Sequence, residues 1–202
     1  MRKFLALAAT VILGGALLIA GCGNDNNKQA ASDSKQVLKI GATAVPHAEI
    51  LEQVKPILAK EGIELKITEF TDYNTPNLAL GDKEIDANFF QHVPYMDEFA
   101  KSHKLNLVSA GGVHLEPMGL YSRQIKDLKD LPKGAKIAIP NDPTNGGRAL
   151  LLLQKQGLIT LKDSSNILST VQDITSNPND YQFVELEAAQ VPRSLDDVAL
   201  AA

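Results

Sequence analysis

Apolar and polar residues alternate along this chain with two periods, about 2 and about 3.6, that take turns. Residues 37–42 (Val-Leu-Lys-Ile-Gly-Ala) read as a strand. Residues 48–60 place Ile50, Leu51, Val54 and Leu58 on one helical face, with Pro56 predicting a kink or break and Gly62 ending the run. Ile63, Leu65 and Ile67 alternate with polar neighbours, so 63–70 is a strand. A short helix at 74–80 closes at Gly81, and a strand at 85–90, a helix at 94–103 and a strand at 105–110 follow. The first half thus reads β-α-β-α-β-α-β, the pattern of a mostly parallel sheet with helices on both faces.

The second half repeats the theme. Residues 118–122 are a strand or a crossover, and 135–140 a buried strand. Residues 145–156 form a helix closed by Gly157, 167–170 a weak strand, 181–186 a strand and 193–200 a helix. The run from Leu195 to Ala202 is apolar-rich and carries no stop signal. The break between the halves falls near 115–130, and no repeat of solenoid length is present.

Composition narrows the function. The chain has 202 residues, 22% charged and 44% hydrophobic, which is globular. Lys plus Arg is 20 against 24 Asp plus Glu, a formal net charge of −4, so no basic stripe follows a phosphate backbone and nucleic acid is not the expected partner. A single Cys excludes an internal disulfide framework and a multi-Cys zinc module. That Cys has a special position. Arg2 and Lys3 precede an apolar run from Phe4 to Ala20, and Ile19-Ala20-Gly21-Cys22 resembles a bacterial lipobox. A lipoprotein signal peptidase needs small residues there to approach the backbone, and the Cys sulfur carries the lipid. An ordinary secretory signal and an uncleaved anchor are the other readings. Acylation of Cys22 would hold the protein at a membrane surface. Residues 23–36 are small and polar and read as a flexible tether.

Three segments carry candidate chemistry. Asn141-Asp142-Pro143-Thr144-Asn145-Gly146-Gly147-Arg148 follows a strand and opens a helix. Free N–H groups at a helix start favour an anion. Arg148 adds a planar fork matched to a carboxylate, and the two glycines would let a ligand approach the backbone. A capped helix with an exposed Arg is the alternative. The segment lacks the Gly-Lys-Ser/Thr ending of a phosphate loop. Asp86-Ala87-Asn88-Phe89-Phe90-Gln91-His92 ends another strand. Adjacent Phe89 and Phe90 point to opposite sides, so one faces the core and the other a pocket where His92 donates a hydrogen bond; a core Phe pair with a surface His is the alternative. Tyr73 sits at a third strand end and adds an amphipathic wall. Lastly, His114 and Glu116 lie two residues apart, but His47, His92 and His103 show no helical pairing with them, so no metal ligands are assigned. Neither a Gly-x-Ser-x-Gly elbow nor a His-Glu-x-x-His motif is present, and a binding protein without cofactor is expected rather than an enzyme.

Five stretches together resemble the NlpA lipoproteins, the methionine-binding lipoproteins of methionine ABC importers. They are 39–51 (Lys-Ile-Gly-Ala-Thr through Pro-His-Ala-Glu-Ile-Leu), 70–73 (Phe-Thr-Asp-Tyr), 86–92, 141–150 and 185–193 (Glu-Leu-Glu-Ala-Ala-Gln-Val-Pro-Arg). The resemblance spans 37–202 and implies a two-lobed periplasmic-binding-protein fold with ligand held between lobes. It implies a signal peptide at 1–21, a tether at 22–36, a first α/β lobe at 37–120, and at 121–202 a second lobe with the start of a return crossover. It also implies that Arg148 holds the carboxylate of methionine, that Tyr73, Phe90 and His92 line the pocket with Phe89 and His114 as weaker members, and that Asn145 shapes the loop. The partners implied are an ABC permease and, through lipidated Cys22, the extracytoplasmic face of a membrane. Members of the family continue past the point matching Ala202 with an Asn-rich segment, so the expectation is a truncated sequence with an incomplete first lobe and one side of the ligand site unfilled. A related amino acid, a methionine-containing dipeptide, or a surface lipoprotein with a vestigial pocket are the other readings.

Overall fold

A computed structural model describes residues 36–202; the predicted signal segment, Cys22 and the tether as far as Lys35 lie outside the described residues. Strand β1 (Gln36–Thr43) starts one residue before the predicted strand and pairs in parallel with β2 (Ile63–Phe70) and β3 (Ala87–Phe89), giving the order β2-β1-β3. Helices α1 (Glu49–Lys60) and α2 (Thr75–Gly81) form the crossovers, and α3 (Val93–His103) follows β3. The register pairs Leu38 with Leu65 and Ile40 with Ile67. With a side-chain period of 2, these and Ala42 share a face, against which α1 lays Leu51 and Leu58. The opposite face of the same two strands carries exposed Lys39, Glu64 and Lys66.

Two expectations fail in this half. Helix α1 runs through Pro56 unbroken, because Pro56 is exposed and water can reach the Glu52 carbonyl that loses its N–H partner. Residues 105–110 form no strand. Val108 is solvent-exposed and no neighbouring strand among the described residues offers a ladder, so apolar alternation alone makes no sheet.

The second sheet has the order β7-β4-β8, all parallel, from β4 (Lys136–Pro140), β7 (Gln182–Leu186) and β8 (Leu200–Ala201). Helix α4 (Pro143–Lys155) follows β4, and a small antiparallel pair, β5 (Thr160–Leu161) with β6 (Ile174–Ser176), follows α4. Ile137 and Ile139 pack on Ala149, Leu150 and Leu153 of α4. Ala138, between them in sequence, packs on the other side with Val191, Val198 and Ala201. Both faces of β4 are therefore buried, which is why its sequence reads as a continuous apolar run.

The predicted helix at 193–200 is replaced by a 3-10 segment, Ala188–Asp196, and then β8. The edge of β4 decides this: its Lys136 and Ala138 carbonyls accept the N–H groups of Ala199 and Ala202, each at 3.0 Å. Residues 167–170 form no strand, and 118–122 contribute one antiparallel bridge, Tyr121 to Ala201. No helix among the described residues is long and apolar enough to cross a membrane.

Candidate functional site

Tyr73, Phe90, His92, Asn145 and Arg148 follow the C-terminal ends of β2, β3 and β4, where open α/β sheets present ligand-binding loops, whereas Phe89 closes β3 and His114 lies in the loop after α3. After β4, Asp142 caps α4: its carboxylate accepts the Asn145 N–H at 2.9 Å, the Thr144 hydroxyl at 3.1 Å and the Asn145 side-chain amide at 3.1 Å. Pro143 occupies the start of the helix, where its missing N–H costs nothing. Arg148, one turn on, donates to Asn145 Oδ1 at 2.8 Å and to the Glu116 backbone carbonyl at 3.2 Å. A guanidinium has five N–H donors in a fixed fork, so these two bonds aim Arg148 and leave donors for an anion.

The glycines play a different part from the one expected of them. A Cβ on Gly147 would fall 1.8 Å from the Ile167 carbonyl oxygen, and one on Gly146 2.8 Å from the Pro140 carbonyl oxygen. They admit the chain's own backbone, not a ligand.

On the first sheet, Phe89 and Phe90 do point to opposite sides of β3. Phe90 is buried with Tyr73, Tyr95 and Phe99; ring centroids are 5.8 Å apart for Tyr73–Phe90 and 6.0 Å for Phe90–Tyr95. The Tyr95 hydroxyl donates to the Tyr73 carbonyl at 2.9 Å, tying α3 to the loop after β2. His92 follows, and its Nε2 is buried with no hydrogen-bond partner among the described residues. Beneath this wall Asn77 and Gln91 exchange amide bonds at 2.8 and 2.7 Å, and Asn88 donates to Asn77 at 2.8 Å. Asn77, fully buried, fixes the backbone from Asn88 to His92. Sequence reasoning missed this network because its partners are 11 and 14 residues apart with no periodic signature.

Charges from the two halves act on one another here. Burial lowers the pKa of His92; the nearby Arg148 cation lowers it further, and Asp142 works the other way. Burial raises the pKa of Tyr73, reinforced by Glu116 and Asp142. Tyr73 and Asp142 line the same cleft, and Arg148 is close enough to His92 to act on its charge.

Phe89 belongs to a separate group. Its ring lies edge-on to His47 at 4.7 Å and to His114 at 5.5 Å. His47 was not singled out from sequence, since nothing local links it to His114. Burial lowers its pKa, partly offset by Glu116 and reinforced by His114. A cleft of about 330 Å³ opens between Tyr73, Tyr95 and Phe99 on one side and Asn141–Thr144 with Glu187 on the other; of the predicted residues only Tyr73 lines it. The structure thus brings Tyr73, Phe90, His92, Asn145 and Arg148 into one neighbourhood and sets Phe89 and His114 beside it.

Two parallel sheets with polar groups beyond their strand ends are an arrangement this chain shares with solved periplasmic substrate-binding proteins. An ABC transporter periplasmic substrate-binding protein from Coxiella burnetii has this fold, with a TM-score of 0.77 and 48% identity over 82% of this chain and 70% of that one. A nutrient-binding protein from Burkholderia cenocepacia, solved bound to methionine, gives 0.78 and 48% over 81% and 70%. More particularly, residues 38–202 match the NlpA lipoprotein family, and the chain belongs to it. The D-methionine-binding lipoprotein MetQ of Escherichia coli K12 is 42% identical over 200 residues, 98% of this chain and 72% of that protein.

Proposed function

We propose that this protein captures methionine and delivers it to an ABC permease while lipidated Cys22 holds it on the extracytoplasmic face of the bacterial envelope. Residues 37–120 and 121–202 act as two lobes that close on the ligand. Arg148 binds the α-carboxylate. Asn145 orients Arg148 through the 2.8 Å bond between them. Tyr73, Phe90 and His92 form the wall against the side chain, with Phe89 and His114 at its margin. A thioether packs well on aromatic edges. Because a ligand touches both lobes only when they approach, closure is a population shift toward the liganded arrangement. No bond is made or broken.

The observation that carries this reading is a guanidinium held by Asn145 together with a buried His92 Nε2 that has no partner among the described residues, the two near enough for the Arg148 charge to act on His92. One group awaits an anion and the other a hydrogen-bond partner. The names of the relatives supply the ligand: one is called D-methionine-binding and another was solved with methionine.

The test is a thermal melt followed by circular dichroism, since the chain has no Trp. Methionine at about 100 times its Kd should add about 2.7 kcal/mol to stability. Arg148→Ala should weaken binding by about 2–3 kcal/mol, the loss of a charge-assisted bond. A cooperative melt indifferent to methionine would overturn the ligand; unchanged affinity in the Arg148 variant would overturn the carboxylate site.

A further inference from the structure

Beside the Arg148 neighbourhood, at the margin where His114 stands, three ligating side chains come together: His47, His114 and Glu116. His47 lies in the turn between β1 and α1, while His114 and Glu116 lie in the loop after α3. Glu116 Oε1 is 2.9 Å from His114 Nε2 and 3.7 Å from His47 Nε2, and the three atoms all fall within 4.8 Å of one another. Ligand atoms of a tetrahedral zinc site, with bonds of about 2.1 Å, stand about 3.4 Å apart. The two measured separations bracket that value, so small side-chain rotations suffice.

The surroundings suit a ligand set rather than a chance meeting. Thr43 Oγ1 is 2.7 Å from His47 Nδ1, which fixes the ring and turns Nε2 toward His114 and Glu116. A hydrogen bond on the far ring nitrogen is the outer-shell device that orients metal-binding imidazoles. The edge of Phe89 against both rings restrains them from the apolar side. His47 is buried, whereas His114 and Glu116 are open to solvent, so an ion has an entry path and a fourth position for water.

We propose that His47, His114 and Glu116 bind one divalent ion of the zinc class through two imidazole nitrogens and one carboxylate oxygen. The donor set favours zinc and its neighbours over magnesium or calcium, which prefer all-oxygen sites. The ion would clip the loop holding Glu116 to the turn after β1. Because the Glu116 carbonyl accepts from Arg148 at 3.2 Å, it would also steady the surface on which Arg148 rests.

Zinc chloride is titrated by calorimetry into the chelator-stripped full chain in detergent. One zinc per chain is expected. His114→Ala and Glu116→Gln, both at accessible side chains and each checked for an unchanged metal-free melt, should weaken binding more than about tenfold. His103→Ala, at a histidine outside the cluster, should leave it within about twofold. Cobalt(II) should give the intense visible absorption of a tetrahedral site in the parent and lose it in both variants. Absence of stoichiometric zinc binding, or binding undiminished in both variants, overturns the site. Methionine binding is measured on the same samples: Glu116→Gln keeps the backbone carbonyl that Arg148 uses and should lose zinc while retaining methionine, whereas His114→Ala, at the margin of the methionine wall, is read for zinc alone.

Discussion

The two parallel sheets have three strands each and yet are held in place differently. Around β4 both faces are covered, Ile137 and Ile139 by α4 and Ala138 by the Val191–Val198 side. Around β1 one face packs on α1 while the other carries Lys39, Glu64 and Lys66. Helix α4 buries seven residues and α1 only Leu51. Burial is uneven: the second half holds the larger buried cluster, and the first half, with the aromatic wall, holds two smaller ones, so the first half is expected to open more readily. The proposed site, between a more and a less buried half, suits the proposed capture by closure.

The strongest challenge to this contrast is Gly147→Ala. The added methyl would meet the Ile167 carbonyl, a backbone atom that cannot swing aside. The expected loss exceeds about 3 kcal/mol, read by denaturant melts; a fully stable variant would show that α4 is not locked as described. Next comes truncation of Leu150, fully buried in the second core, which should cost about 3 kcal/mol, against about 1 kcal/mol for Leu58→Ala, half-buried on α1. Equal costs would erase the contrast between the sheets.

Acid sharpens it further. Burial holds the pKa of His47 and His92 below the usual histidine value of 6.5. Above that value neither the folded nor the unfolded chain is protonated there, and the contribution is complete. As pH falls below it, the unfolded chain takes up protons first, and stability drops until the folded pKa values are passed. Melts at about pH 7.5 and about pH 5.5 should therefore show a fall in Tm, with hydrogen exchange rising first around β1 and β3. Asp72 is outside that window: burial opposes its ionisation, but bonds from Thr75 and Asn74 prevail and hold its pKa low, so its loss comes at lower pH. A Tm constant over this range would remove the histidines as the acid-sensitive element. The smallest effect is expected at Ile57, 56% exposed on α1, where Ile57→Ala should change stability by less than about 0.5 kcal/mol. A larger loss would mean that the outer side of α1 is covered in solution.

Much of this was legible beforehand. The sites of β1, β2, β4, β7 and all four helices follow from periodicity and stop signals. The helix after β4 was expected from 145 and begins at Pro143, two residues earlier, where Asp142 caps the N–H of Asn145. The divergence of Phe89 and Phe90 follows from the period of a strand. Short apolar runs misled: 105–110 has strand-like alternation but no partner, and 193–200 has a helical look but gives up Leu200 and Ala201 to the edge of β4. For such runs, pattern alone does not separate helix from strand, and neighbours decide.

The chain alone thus determined the sites of the longer regular elements and the side chains that follow their ends, since these depend on spacings of two to four residues. Only the tertiary structure decided that Tyr73 shares a cleft with Asp142, that Gly147 yields to Ile167, and that His47 meets His114 and Glu116. Those pairs are far apart in sequence, and their meeting depends on how whole elements pack, which no local spacing encodes.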